Sequence, residues 1–293
     1  MPASLGQILV FGILVGALYG LVALGLSLVF GVTKILNVAH GELVMIGGYV
    51  SLWAFSTLGL DPYLSIPISF AVLFLIGAFL YRLIFSRTVK LPEETKIKNT
   101  LLVAFGLSVI LQNLALRIWT ADERGITASY IGIAFKVLGV RFPVVRLANL
   151  VVAVFFLVAL QLFLRKTYTG KAIRATVQNW EAASLVGIDI HKVYLLAFAL
   201  GAGLAGVAGT LVAVNYSIQP SMGLTWTLKA LIVMVLGGLG SIPGTLVGGL
   251  ILGVTESATS FFINSNYREI AGLILFLLVL IFRPQGLFGE KEG

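Results

Sequence analysis

The chain has 293 residues, of which 59% are hydrophobic and 11% charged, whereas soluble domains carry about 25% charged residues. This composition excludes a soluble globular protein and predicts an all-α, polytopic membrane protein with one transmembrane domain over residues 1–293. The net charge of +8 is typical of Lys and Arg in cytoplasmic loops and does not indicate a nucleic-acid partner. Because cysteine is absent, disulfides and thiolate metal sites are excluded.

Apolar runs of membrane-spanning length follow one another along the whole chain. A hydrocarbon core of about 30 Å needs roughly 20 helical residues. Residues 225–262 would form a helix of about 57 Å, which is too long for one span, so we expect two shortened helices there. The sequence predicts eight or nine spans, from these runs: 5–30, 38–58, 64–85, 100–119, 147–164, 194–214, 225–262 and 270–282.

The distribution of basic residues sets the expected orientation. Positive charges collect in residues 82–98, which include Arg82, Arg87 and Lys90, and again in residues 165–192. Cytoplasmic loops carry such an excess, so both segments are predicted to be cytoplasmic and residues 120–145 to lie outside. The N-terminus is then outside and the C-terminus cytoplasmic. No cleavable signal peptide is expected.

Polar side chains interrupt the apolar runs at two places. Asn37, His40 and Glu42 lie between the first two spans, and Glu256 lies inside a later run. Ionisable groups are costly in a bilayer, so they lie at its surface or have a function inside it. The first three are either headgroup-level residues at helix ends or a broken helix that lines a translocation path, and Glu256 is a path candidate or a structural acid. Two ligands are too few for a metal site at His40 and Glu42.

A glycine-rich break is predicted in the long run after residue 225. The residues that form it are Gly237, Gly238, Gly240, Pro243 and Gly244. A similar glycine pattern occurs over residues 31–48, and paired interrupted segments often line the substrate path of a transporter. These two regions are therefore candidates for a duplicated, broken-helix element.

The cytoplasmic segment at about residues 166–192 contains a second functional candidate. Lys171, Arg174, Gln178 and Glu181 recur at helical spacing, as do Val177 and Trp180 on another face. This pattern predicts one amphipathic helix closed by Gly187. It either lies on the lipid headgroups or docks into a groove on a soluble partner, with Trp180 as the anchor.

Several motifs resemble those of a known family. Glu181, Ala182, Ala183 and Gly187 match the coupling segment by which permeases of ABC importers dock on their ATPase. Together with residues 36–42 (LNVAHGE), 184–188 (SLVGI), 237–244 (GGLGSIPG) and 283–289 (RPQGLFG), they resemble the branched-chain amino-acid permeases of the LivH type. The resemblance covers essentially the whole chain.

This resemblance implies a permease subunit in the inner membrane of a bacterium. It would pair with an identical or LivM-like permease, two cytoplasmic ATPases and a periplasmic substrate-binding protein, and it would import branched-chain or other small amino acids or related organic solutes. The chain has no P-loop motif, so ATP and Mg²⁺ would be bound by the ATPases and this chain would not be an enzyme. The alternative from the residues alone is an ion-coupled secondary transporter or channel that uses His40, Glu42 and Glu256.

Overall fold

The architecture is a bundle of helices that follow the apolar runs of the sequence. The computed structural model describes residues 2–88, 93–137 and 139–289. Within those residues, nine helices are long and apolar enough to span a membrane, so the larger of the two predicted span counts is the one found. Lys90, which contributes to the predicted cytoplasmic loop, lies outside the described residues.

The helices agree with the predicted spans to within a few residues at most ends. They are α1 Pro2–Thr33, α2 His40–Leu58, α3 Ile66–Leu80, α4 Ser86–Thr88, α5 Glu93–Trp119, α6 Val144–Lys166, α7 Tyr168–Gln178, α8 Trp180–Leu185, α9 Ile190–Asn215, α10 Gly223–Gly237, α11 Ile242–Phe262 and α12 Arg268–Phe282. A π-helical segment, Tyr81–Phe85, joins α3 to α4, and single turns of 3-10 helix precede α10 and α12.

Helices α1 and α9 form the centre of the bundle. Most of each is buried, whereas α5, α6 and α12 expose most of their surface. Close approach between helices depends on glycine: an added Cβ at Gly16 of α1 would lie 2.7 Å from the Cα of Leu250 in α11. Glycine permits such approach where lipid gives helices no hydrophobic reason to associate. The core therefore rests on packing between the central helices.

A short β-hairpin lies in the loop predicted to be outside. Its strands are β1 Ala134–Val137 and β2 Val140–Pro143, which pair antiparallel. Gln7 near the start of α1 exchanges two hydrogen bonds with the backbone of Arg141, of 2.9 and 2.8 Å. We call this end of the bundle the hairpin end. The opposite end, which carries the two short helices after α6, is the α7–α8 end.

The predicted single amphipathic helix after the α6 span is wrong in one respect. Asn179 is extended (φ −158°, ψ 102°) and divides the segment into α7 and α8. Its side-chain Oδ1 accepts a hydrogen bond of 2.9 Å from the N–H of Ala182. Asparagine favours such a cap over a helix interior, because its amide competes for backbone hydrogen bonds. Gly187 follows α8 with a φ of +86°, as expected of a residue that ends a helix.

Candidate functional site

The link between α1 and α2 folds back into the bundle. Lys34 has a φ of +56°, and the N–H of His40 donates to the carbonyl of Asn37 at 3.1 Å. The His40 Nε2 atom lies 2.9 Å from the carbonyl oxygen of Val22. Val22 lies about three turns, or roughly 16 Å, before the end of α1. Helix α2 therefore begins well inside the bundle, beside the middle of α1.

The polar residues of this link are buried. Asn37, His40 and Glu42 are each at most 1% exposed. They lie inside the protein and not on its surface, whereas their depth in the membrane stays a prediction. The geometry is that of a broken helix whose polar turn lies within the protein. A role in lining the path remains a prediction.

The starts of α2 and α10 meet at Glu42, and we call this contact the α2–α10 junction (residues 38–42 and 223–227). The Gly41 N–H donates to Thr227 Oγ1 at 2.8 Å, and that hydroxyl donates to the carbonyl of Val38, also at 2.8 Å. Gly223 lies against the Glu42 carboxyl group so closely that an added Cβ would overlap it. Two helices thus begin face to face with a carboxylate between them.

Glu42 has few hydrogen-bond partners. Its Oε1 accepts a hydrogen bond of 3.0 Å from Ser108 of α5, while its Oε2 has no partner among the described residues. The Nδ1 atom of His40 is likewise buried without a described partner. Buried polar atoms are usually satisfied, so these two atoms mark the junction as incompletely bonded in this conformation.

Glu256 contacts two cations and a hydroxyl group, and we call this group of residues the Glu256 cluster (Tyr19, Lys229, Glu256 and Arg268). Lys229 Nζ lies 2.8 Å from Oε1, and the Tyr19 hydroxyl donates to Oε2 at 2.6 Å. Arg268 Nε lies 3.4 Å from Oε2. The ammonium group of Lys229 also lies 4.9 Å from the centre of the Tyr19 ring. The cluster joins α1, α10, α11 and α12.

A cavity of about 340 Å³ opens beside this cluster, at the hairpin end. Glu256, Arg268 and Arg146 bring one negative and two positive charges to its wall, and Arg146 lies 4.8 Å from the Phe11 ring. The lining residues are Gln7, Ile8, Phe11, Val15, Arg146, Tyr216, Gly253, Glu256, Ser257, Ser260, Phe261 and Arg268. Of the predicted path residues, Glu256 lines this cavity, whereas Asn37, His40 and Glu42 do not.

The glycine-rich break lies where the sequence predicts it. Helix α10 ends at Gly237 and α11 begins at Ile242, with Gly238 and Gly240 at φ of +102° and +82°. Ser241 Oγ accepts from the Gly244 N–H at 3.2 Å, and Pro243 occupies the first turn of α11. Proline suits that position because the N–H it lacks has no partner within the helix.

The C-terminal motif packs on the break. The N–H groups of Leu287 and Phe288 donate to the carbonyls of Leu236 and Gly237, at 3.0 and 3.1 Å. These bonds satisfy carbonyl groups left free by the end of α10. Residues 237–244 and 283–289, two blocks of the family resemblance, therefore form one structure.

The α7–α8 segment exposes most of the residues predicted to couple to a partner. Trp180 is 56% exposed, and the other exposed members are Lys171, Arg174, Val177, Gln178, Glu181, Ala182 and Gly187. Ala183 is buried. Because Asn179 ends α7, Trp180 and Glu181 do not continue the helical faces of Lys171 and Arg174. Leu185 and Val186, which were not among the predicted coupling residues, are more exposed than Trp180.

Sequence reasoning missed several members of the Glu256 cluster. Lys229 is an ionisable residue inside the apolar run of α10, so the argument that singled out Glu256 applies equally to it. Arg268 is the first residue of α12, and Tyr19 carries no charge to distinguish it within α1. No comparable signal pointed to Ser108. Within the described residues, no group of three His, Asp or Glu side chains could hold a metal ion.

Comparison with known proteins identifies the family. Residues 8–282 match the family described as "Branched-chain amino acid transport system / permease component". The chain belongs to this family. It is 31% identical to the high-affinity branched-chain amino acid transport system permease protein BraD of Pseudomonas aeruginosa, over 98% of this chain and 96% of BraD. It is 32% identical to LivH of Escherichia coli strain K12, over 96% of this chain and 94% of LivH.

A solved structure shares the fold. PsaBC from Streptococcus pneumoniae, in complex with Fab, matches with a TM-score of 0.50 at 15% identity, over 96% of this chain and 92% of the matched chain. At that identity the likeness concerns the fold alone. The resemblance drawn from the sequence motifs is thus confirmed at the level of the family, and the protein is a multi-pass membrane permease subunit.

Proposed function

We propose that this permease carries branched-chain or other small amino acids, or related organic solutes, inward across a bacterial inner membrane. It would form the path with a second permease, either identical or LivM-like, and two cytoplasmic ATPases would drive it. A periplasmic binding protein would deliver the cargo. Family membership and the printed names of the BraD and LivH relatives support this proposal.

The observation that carries the coupling step is the form of the α7–α8 segment. Its exposed apolar side chains include Val177, Trp180, Leu185 and Val186, and the basic residues Lys171 and Arg174 are exposed on α7. On the opposite side, Ile173 is buried. An exposed aromatic and aliphatic patch on two short helices that pack against the bundle suits insertion into a groove on a soluble protein. ATP and Mg²⁺ would be bound by that partner.

The path would pass the α2–α10 junction. Two helices begin there inside the bundle, which is the geometry by which broken helices of transporters line substrate sites. Asn37, His40 and Glu42 would contribute polar groups to the path. Glu256 would contribute its carboxylate to the cavity at the hairpin end. Closure of the ATPases would displace α7, which packs on α6 and α9, and so open or close the path between the two permeases.

Orientation follows from the same proposal. The α7–α8 end would be cytoplasmic, with the N-terminus outside and the C-terminus inside. Because the chain has no cysteine, single cysteines can be introduced at Gln178 and at Thr120, which lie at opposite ends of the bundle. An impermeant thiol reagent added outside intact cells should label Thr120→Cys and spare Gln178→Cys. The reverse pattern would contradict the orientation.

Coupling is tested at Trp180. In proteoliposomes that hold the whole transporter, Trp180→Asp should leave assembly intact and reduce uptake at least about tenfold, because a charge replaces the anchor of a docked helix. The matched control is Tyr267→Asp, a similarly exposed aromatic (53%) at the hairpin end. Unchanged uptake in Trp180→Asp would contradict the docking role, and ion-driven uptake by this chain alone would favour the ion-coupled carrier.

A further inference from the structure

A second cavity opens at the α7–α8 end, between the end of α3 and the start of α9. Its volume is about 500 Å³. The residues that line it are Tyr81, Arg82, Ser86, Arg87, His191, Lys192 and Leu195. It is separate from the Glu256 cluster, the α2–α10 junction and the exposed face of α8. Neither the family resemblance nor the coupling role accounts for it.

The described lining of this cavity is strongly basic. Arg82, Arg87 and Lys192 carry positive charge, and no described lining side chain is acidic. Asp189, just outside it, lies 3.2 Å from Lys192, and the hydrogen bond from the Lys192 N–H holds the pKa of its carboxyl below the ordinary value. Among the side chains that the structure describes, neither arginine forms an ion pair. The described lining therefore has an excess of positive charge.

Tyr81 also lines this cavity. Tyr81 is 2% exposed, and its hydroxyl has no hydrogen-bond partner within the described residues. Tyr81 begins the π-helical segment that joins α3 to α4. Such segments are rare and occur frequently at functional sites, since the extra residue in the turn redirects the side chains that follow. An unsatisfied donor beside arginines suits an anionic oxygen.

An apolar stripe runs along the outer surface of α3 and the π-helical segment that follows it. Leu75, Phe79 and Leu83 recur every four residues, and each is more than half exposed. Residues at this spacing lie on one helical face, and Arg82 lies next to Leu83 at the end of that stripe. A ligand that covered both regions would have an anionic head and an apolar tail along the helix.

We propose that this cavity binds the headgroup phosphate of an anionic phospholipid, whose acyl chains lie along Leu75, Phe79 and Leu83. Arg82 and Arg87 neutralise the phosphate, the Tyr81 hydroxyl donates a hydrogen bond to a phosphate oxygen, and Lys192 and His191 close the α9 side. Basic pockets between helix ends bind lipid headgroups in this way. The bound lipid would fix the end of α3 against α9, the helix that follows the α7–α8 segment.

The test measures lipid selectivity of the whole transporter in detergent, with spin-labelled phosphatidylglycerol and phosphatidylcholine as probes. The wild type should retain phosphatidylglycerol preferentially. Arg82→Gln with Arg87→Gln should reduce that preference by about 30-fold, since each basic residue near an anionic lipid contributes about 1 kcal/mol. Tyr81→Phe, which keeps the packing, should reduce it by a few-fold. The matched control is Arg165→Gln with Lys166→Gln, an exposed basic pair at the end of α6.

Three outcomes would overturn the proposal. The control pair could lose as much selectivity as the arginine pair, which would make the effect a general one of charge. Excess inorganic phosphate could displace the lipid fully, which would make the cavity a site for free phosphate. Wild type and both variants could also show equal retention of the two probes. Loss confined to the arginine and Tyr81 variants supports the proposal.

Discussion

Two carboxylates are buried among the residues that the structure describes, and their surroundings differ in kind. Glu256 accepts a hydrogen bond from Tyr19 and lies beside the cations of Lys229 and Arg268. Glu42 accepts one hydrogen bond, from Ser108, and no cation lies beside it among the described residues. Both side chains are at most 3% exposed. The comparison therefore separates burial, which they share, from charge compensation, which only Glu256 has.

From this difference we expect the Glu256 cluster to resist helix movement more than the α2–α10 junction does. The Glu256 cluster ties four helices together through contacts that are each strong in a low-dielectric interior. The α2–α10 junction is held by hydroxyl groups and close backbone contact, and it leaves atoms of Glu42 and His40 unbonded. A path that opens and closes needs contacts of the second kind. We expect the bundle to be held at the cluster and to move at the junction.

The largest expected effect comes from removing the charge at the cluster. Glu256→Gln should lower the free energy of unfolding by about 3 to 5 kcal/mol, because the buried ammonium group of Lys229 loses its partner. The measurement is the unfolding midpoint of the purified protein in detergent, as sodium dodecyl sulfate is increased. Expression should fall with it.

The control for this prediction removes the ion pair of Lys229 and Glu256. Lys229→Met combined with Glu256→Met should recover most of the loss, since apolar residues of similar volume often replace a buried ion pair without cost. Wild-type stability in Glu256→Gln alone would mean that the ion pair contributes nothing to holding the helices. The contrast between the two carboxylates would then disappear.

At the junction, the expected effect is steric and smaller. Gly223→Ala should destabilise the protein by about 1 to 3 kcal/mol, because the new methyl group overlaps the Glu42 carboxyl group. The same unfolding measurement applies. The loss would come from that overlap, because alanine is otherwise well tolerated in helices.

A matched glycine is available in α5. An added Cβ at Gly106 has no neighbour within 4 Å, so Gly106→Ala should leave stability unchanged or raise it. Adding Glu42→Ala to Gly223→Ala should relieve the overlap and restore part of the loss. Equal stability of the two single alanine variants would show that Gly223 does not need to be glycine.

The spans and the break after α10 could be predicted from the sequence because local features determine them. Apolar runs of membrane length form helices. Two adjacent glycines, Gly237 and Gly238, followed by Pro243 interrupt such a helix, because proline cannot continue a helix interior. The α7–α8 segment was predicted nearly as well, as a helical region. Only the extended backbone of Asn179 was missed. Asparagine caps helices better than it continues them, so its position in the segment already indicated a break.

The position of the α1–α2 link could not be predicted, because it depends on a contact across the bundle. Nothing in the sequence near His40 indicates that its ring reaches the carbonyl of Val22, three turns back along α1. The partners of Glu256 are a different case. Lys229 was open to the same reasoning as Glu256, and only the pairing of the two charges required the structure.

The smallest expected effect on stability is at Glu42, and this prediction tests the comparison of the two carboxylates most directly. Glu42→Gln should change the free energy of unfolding by less than about 1 kcal/mol, because glutamine still accepts from Ser108 and no buried cation loses a partner. Unfolding and uptake should be measured on the same preparation, with Glu123→Gln, an exposed glutamate in the loop after α5, as the control. If uptake falls while stability holds, Glu42 acts on the path and not in the fold. A loss of stability as large as that of Glu256→Gln would mean that Glu42 has a charged partner and that both carboxylates hold the bundle.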